Sequence, residues 1–453
     1  RQTFQFHGVI KRDLKATMAA INAATMDTIS ACGDVNRNVL GASNPLQSRL
    51  HAQVHDWAER LSAHFKPATR AYYEIWLDEE KVAESGVEVE PIYGDSYLPR
   101  KFKIAVAVPP YNDVDVFAND LGLIAILDGN GELAGFNVAI GGGMGASHGI
   151  KEHYPRAANV IGFVTPEQVF AIAEAAITVQ RDLGDREERK HARFKYTIDD
   201  KGVDWVKAEI ERMMDAPFGE PRSFIFTSNG DTPGWSATPD GRQHRTIFVE
   251  NGRLDRKLLD AFRDLARIHR GTFRLTPNQN LIVAGVKPED RPAIDAVLGD
   301  HGLGTDTFSA LRRNAIACVA LPTCGLAMAE SERYMPSLIA RIESILASHG
   351  LSAEPITIRM SGCPNGCSRP YIAEIGLTGR APGKYNLYLG GGFHGQRLNR
   401  MVRENVGEAA ILELLDDVIG RYSRERKPDE RFGDFTIRAG IVREVTEGRF
   451  FND

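Results

Sequence analysis

Apolar and polar positions alternate with a period of two along KFKIAVAVPP, Lys101 to Pro110. The alternation predicts a strand with Phe102, Ile104, Val106 and Val108 on one face and Lys101, Lys103, Ala105 and Ala107 on the other, so two lysines share a side. Helical periodicity marks Thr165 to Asp182, where a Thr cap, Pro166 at the first helical position and Gln168 in capping-box position fix the start. Similar patterns predict helices from about Pro336 to His349, stopped by Gly350, and from about Glu408 to Arg426. The polar, Gly- and Pro-rich stretch Ser228 to Gln243 reads as a linker.

Comparing the chain with itself shows a duplication. FNVAIGGGMG (Phe136 to Gly145) returns as YNLYLGGGFHG (Tyr385 to Gly395), Gly122-Leu123 returns as Gly376-Leu377, and Arg37-Asn38 returns as Arg313-Asn314. A shared order over so long a stretch predicts two related α+β halves, 30–224 and 304–453. A fainter echo links RQTFQFHGV (Arg1 to Val9) with NQNLIVAGV (Asn278 to Val286) and predicts that these pair as equivalent strands from opposite ends of the chain.

Composition adds mainly exclusions. With 453 residues, 43% hydrophobic and 25% charged, the chain has ordinary globular content for two or three domains. A net charge of -5 gives no electrostatic reason to expect nucleic acid or an anionic membrane as the main partner, so any basic function is local. No apolar run approaches the roughly 18 residues of a spanning helix, and the first residues lack the apolar core of a signal peptide, which fits a cytoplasmic protein.

Four of the five cysteines fall together as Cys318-x5-Cys324 and Cys363-x3-Cys367, the second pair forming the turn CPNGC. Thiolates are soft ligands, and four of them suit a [4Fe-4S] cube or a tetrahedral zinc ion. The five-residue gap argues against zinc, whose knuckles are tighter; four buried unliganded thiols are the bland alternative. Cys32, alone in the other half, reads as a packed core thiol.

Gly141 to Ala146 satisfies G-x-G-x-x-A only superficially, because no apolar-periodic helix follows. The repeated triplet is either a tight structural turn or a backbone that closely approaches a flat cofactor. Arg37, Arg100, Lys101 and Lys103 lie on segments equivalent to the cysteine-bearing segments of the other half. FKIAVAVPP aligns with ITIRMSGCPNGC, so halves packed about a pseudo-twofold axis would turn a basic face toward the cysteines, a geometry suited to an anion or polycarboxylate. His148 and His153, in a polar loop, read as surface residues.

ACVALPTC with SGCPNGC, NRNVLGASNP, YLPRKFK, the glycine triplets and FGDFTIRAGIVRE resemble the siroheme-dependent sulfite and nitrite reductases, and most of all their assimilatory, NADPH-linked branch. The resemblance spans nearly the whole chain. It implies an internally duplicated α+β fold of two pseudo-twofold-related halves, 30–224 with the basic substrate face and 304–453 with the cluster. Residues 1–29 plus 225–303 would make a ferredoxin-like domain built from both ends of the duplication. It implies a [4Fe-4S] cluster on Cys318, Cys324, Cys363 and Cys367, with Cys367 also the axial ligand of siroheme. Arg37, Lys101 and Lys103 would engage sulfite, while Arg1, Gln5, His7, Arg100, Arg193 and Asn365 join them in binding siroheme. Arg193 stands where a lysine is expected, a change that keeps the charge. A further N-terminal segment with another substrate-binding arginine is also implied. The expected activity is six-electron reduction of sulfite to sulfide; the chain shows no dinucleotide or flavin pattern of its own, so electrons arrive from another protein, which the resemblance implies is an NADPH-oxidising flavoprotein carrying FAD and FMN. The alternatives are a ferredoxin-dependent nitrite or sulfite reductase with the same cofactors and a non-catalytic iron-sulfur or zinc protein.

Overall fold

The computed structural model describes residues 1–69, 74–84, 89–304 and 307–453. A short antiparallel hairpin of β1 (Glu74–Leu77) and β2 (Glu80–Glu84) stands apart from three larger sheets. The first of these runs β3 (Ile104–Ala107), β4 (Leu121–Leu127), β5 (Leu133–Ile140) and β6 (Asn159–Val164) in spatial order. Within it β3 and β4 are parallel and the later pairs antiparallel. The expected alternation over Lys101 to Pro110 condenses into a regular strand of Ile104–Ala107, flanked by isolated bridges at Phe102 and Val108. Both faces of this strand are buried. Phe102, Ile104, Val106 and Val108 enter the main core with the helices Arg49–His64 and Val169–Leu183, while Ala105 and Ala107 pack against Leu40, Val116, Phe117 and Phe226. Small alanines let a second apolar layer close over the face that carries the lysines further back.

The other half repeats this plan. β11 (Ala315–Ala317), β12 (Ile358–Ser361) and β13 (Ile375–Ala381) are parallel, and β14 (Lys384–Leu389) and β15 (Arg400–Val406) follow antiparallel. Its helices Met335–Ser348 and Glu408–Glu425 bury Leu338, Ile342, Leu415 and Ile419 against the sheet. In the first half the counterpart of β11 is reduced to parallel bridges, Asn36 with Phe102 and Leu40 with Ala105. The duplication is therefore visible as shared topology. The capping box of Thr165 and Gln168 forms as expected.

A third sheet, all antiparallel, combines β7 (Gly234–Ala237), β8 (Gln243–Ile247), β9 (Thr272–Leu275) and β10 (Leu281–Val286) in the order β7-β8-β10-β9. The helices Arg256–Ile268 and Arg291–Asp300 close its apolar face through Leu265, Ile294 and Leu298. Two expectations fail here. The stretch read as a linker contains β7, because Trp235 packs on this core and donates from Nε1 to Asp295 at 2.8 Å, a tertiary contact that overrides turn-like composition. Arg1 to Val9 forms no strand and does not pair with Asn278 to Val286, since both edges of β10 are already taken by β8 and β9.

Candidate metal and anion centre

Adjacent parallel strands deliver the two cysteine pairs. Cys318 follows β11, with its N–H bonded to Met360 O at 3.2 Å, and Cys363 and Cys367 leave the end of β12. Loops beyond the carboxyl ends of parallel strands are where open α/β sheets place ligands. The amide of Cys324 is tied to Ala320 O at 2.7 Å, and Gly362 N–H donates to Cys318 Sγ at 3.3 Å. Ser368 anchors the far end of the CPNGC turn by donating from Oγ to Met360 O at 2.6 Å. Cys363 is buried, Cys318 and Cys324 are half-buried, and Cys367 is exposed at the tip beside exposed Asn365. Burial, aided by the neighbouring Cys367 and Cys363, pushes the Cys318 thiol up to about 11, and burial also raises Cys363.

The thiols are electrostatic neighbours of one another. Among the described residues, however, no three of them form a group able to hold one metal ion. Four soft donors on two short loops, one of them receiving a backbone N–H, suit a cube of iron and sulfide.

Opposite lies a basin of cations from the first half. Lys101 and Lys103 precede β3, and both are half-buried. Burial, then repulsion from Arg193 and Arg100, lowers Lys101 to about 8; burial with Arg193, Arg1 and Lys101 drives Lys103 well down. Arg1 reaches in, donating to Asn119 Oδ1 at 3.0 Å, to Asn38 Oδ1 at 3.3 Å and to Ile104 O at 3.2 Å. Arg193, buried, bonds both oxygens of fully buried Asp120 at 2.9 and 3.0 Å, yet its Nε has no partner among the described residues. Arg37 lies along the carbonyls of Ala31 and Gly33, and Arg100 approaches Asp34 at 3.8 Å. Cations outnumber carboxylates here, so the basin is short of negative charge, which suits a polycarboxylate or an oxyanion.

The glycine turn joins the two sides. Ala146 N–H donates to Pro364 O at 2.9 Å, and a Cβ on Gly366 (φ +63°) would stand 2.6 Å from Met144 O. The triplet is a tight turn in its own right: a Cβ at Gly142 would meet Phe117 O at 2.3 Å, and one at Gly391 would meet Ala373 O at 2.2 Å. A Cβ at Gly145 would find nothing nearer than Asn365 O at 4.0 Å.

Of the residues expected here, the structure gathers Arg1, Arg37, Arg100, Lys101, Lys103 and Arg193 into the basin, with the four cysteines and Asn365 across from it. Gln5 and His7 stay outside, because residues 3–9 run exposed past the point where Arg1 and Gln2 are fastened. Cys32 is exposed rather than packed, since it precedes the apolar stretch that begins at Val35. His153 is buried beside Tyr196, and His148 is half-buried with its Nε2 2.9 Å from Gly379 O; the polar loop is folded against the protein instead of projecting from it. Sequence reasoning missed Lys195, buried with its Nζ 2.6 Å from Gly145 O, and Arg369, which is bonded to Asp115. A polar cavity of about 650 Å³ bordered by Arg156, Asp199, Arg397 and Arg449 lies away from these residues, its arginines already paired with carboxylates.

Two thiol pairs facing a basic basin across a duplicated scaffold, beside a ferredoxin-like sheet, define the nitrite and sulfite reductases, and the chain belongs to that family. Residues 56–218 and 309–447 match the nitrite and sulphite reductase 4Fe-4S domain, and 237–301 match the nitrite/sulfite reductase ferredoxin-like half domain. The chain is similar to the sulfite reductase [NADPH] hemoprotein beta-component of Nitrosomonas europaea, with 58% identity over 100% of this chain and 79% of that protein. The protein of the same description from Geobacillus kaustophilus is 58% identical over 100% of this chain and 80% of its own length. In fold the chain is similar to the NirA protein of Mycobacterium tuberculosis, with a TM-score of 0.74 and 25% identity, covering 94% of this chain and 74% of that one.

Proposed function

We infer that this chain reduces sulfite to sulfide, with siroheme and a [4Fe-4S] cluster as its cofactors. The observation that carries the reading is the basin of under-neutralised cations set against two cysteine pairs that adjacent parallel strands deliver to one side of the second half. Cys318, Cys324, Cys363 and Cys367 would hold the cluster, and Cys367, at the exposed tip of its turn, would be shared with the siroheme iron. Taking sulfur from +4 to -2 needs six electrons, and the coupled cofactors supply the redox storage that side chains lack.

The protein's part is electrostatic and acid-base. Lys101, Lys103 and Arg37 hold the anion, and the lysines, both lowered by burial and by the neighbouring arginines, give up protons more readily than free lysines as oxygen leaves as water. Arg1, Arg100, Arg193 and Asn365 neutralise and orient the carboxylates of siroheme. Among the described residues no helix is long and apolar enough to cross a membrane. The reading includes a cytoplasmic location and a flavoprotein partner that oxidises NADPH and passes on single electrons.

The test is a visible spectrum followed by an assay of electron donors. The purified, loaded protein should absorb as a tetrapyrrole with an iron-sulfur cluster and should reduce sulfite with an artificial one-electron donor. NADPH should support turnover only after the flavoprotein is added. Lack of tetrapyrrole absorption sinks the cofactor assignment. Activity with ferredoxin but not with the flavoprotein would overturn the partner while leaving the chemistry.

A further inference from the structure

A buried ion triad lies where the halves meet. Asp115, 1% exposed, takes both arms of Arg359 at 2.7 and 3.0 Å and also accepts from Arg369 Nε. Asp115 belongs to the first half, and Arg359, on β12, and Arg369 belong to the second. The arrangement follows the duplication. Asp115 (φ 48°, ψ 58°) and Arg369 (φ 58°, ψ 49°) both adopt the left-handed conformation that disfavours non-glycine residues. Each is followed by one short turn, Val116–Ala118 or Pro370–Ile372, and then by the equivalent strands β4 and β13. They are therefore the same position in the two halves, and they bond to each other. The pseudo-twofold axis passes through this pair.

Arg369 also closes the turn that carries Cys367, because its N–H donates to Gly366 O at 2.9 Å. Ser368 fastens that turn to its own half through Met360 O; among the described residues, Arg369 is the charged side chain that fastens it to the other half. Its guanidinium is one-fifth exposed and lies among the charges of Arg1 and Cys367.

We propose that the Asp115–Arg369 pair is the tie that holds the Cys367 thiolate in place against the cationic basin, with Arg369 a positioning residue whose charge favours the reduced state of the iron centre on that thiolate. This rests on the reading of Cys367 as a cofactor ligand. Arg359 neutralises Asp115 from the core side, so Arg369 keeps its positive charge toward the site.

The test compares loaded wild type with Arg369→Gln and Asp115→Asn by spectroelectrochemical titration. Arg369→Gln removes a cation and should move the midpoint potential of the coupled centre to more negative values. Asp115→Asn removes the compensating anion and should move it to more positive values. Opposite signs are the signature, because a merely structural pair would perturb both variants in the same sense. Shifts of the same sign, or none in either variant, overturn the proposal. If Arg369→Gln fails to load, Asp115→Asn decides alone: a positive shift supports the tie, and a wild-type or more negative value refutes it. Wild type without tetrapyrrole or cluster absorption would instead sink the underlying reading of Cys367.

Discussion

Substituting alanine into the glycine turn separates its two roles. At Gly142 the new Cβ would lie 2.3 Å from Phe117 O, 2.5 Å from Asn119 O and 2.8 Å from Asn119 N. All three are backbone atoms of the short turn ahead of β4, which cannot rotate away as a side-chain tip can. Relief needs a shift of about 1 Å between β5 and that turn, an overpacking worth about 3 kcal/mol. For a half of this size that lowers Tm by about 6–12 °C. At Gly145 the nearest atom is 4.0 Å away, so Gly145→Ala should leave the Tm of the cofactor-free protein unchanged. Because Gly145 O also accepts from Lys195 and the next residue, Ala146, bonds Pro364, a methyl group here intrudes on the space between basin and thiols, and loading with siroheme should fall. Thermal denaturation of the cofactor-free variants, followed by absorbance after reconstitution, measures both. Equal Tm values for Gly142→Ala and wild type would refute the steric reasoning, and normal loading of Gly145→Ala would refute the idea that this backbone approaches a flat cofactor.

Lys103→Met and Lys101→Met should each cut kcat/KM for sulfite at least about tenfold while siroheme stays bound, since a charge-assisted hydrogen bond to an anion is worth about 1.5–3 kcal/mol; unchanged values in both would make the lysines structural. Anion binding also has a direction in pH. With Lys101 at about 8, its ammonium is present below that pH and lost above it, so the affinity of the cofactor-free protein for sulfate, read by calorimetry, should weaken as pH rises through about 8.

How far the sequence carried depended on the range of the interactions. Lys101 and Lys103 announced themselves because a period of two is local, and the cysteine pairs because their loops are short. Arg369 gave no such sign: it is one arginine among many, and its partner Asp115 is 254 residues away. Lys195 was equally silent, since its acceptors are carbonyl oxygens that any residue supplies. His153 and Cys32 were misplaced in opposite directions because burial in an irregular segment is set by tertiary packing rather than by pattern. The strand expected at Arg1 to Val9 rested on a true echo of β10, but a sequence echo does not say which sheet edges are free.

The tie between Asp115 and Arg369 also dictates a schedule. Asp115 is separated from Arg369, and from the Cys367 thiol beside it, by more than half of the chain. While the first half emerges from the ribosome, it folds around its own core with the lysines in place but with nothing across from them. The centre comes into being only after Arg369 has been synthesised and the second half has docked. Metal and tetrapyrrole therefore find a complete site only once both halves are present and docked, so assembly of the centre waits on the second half.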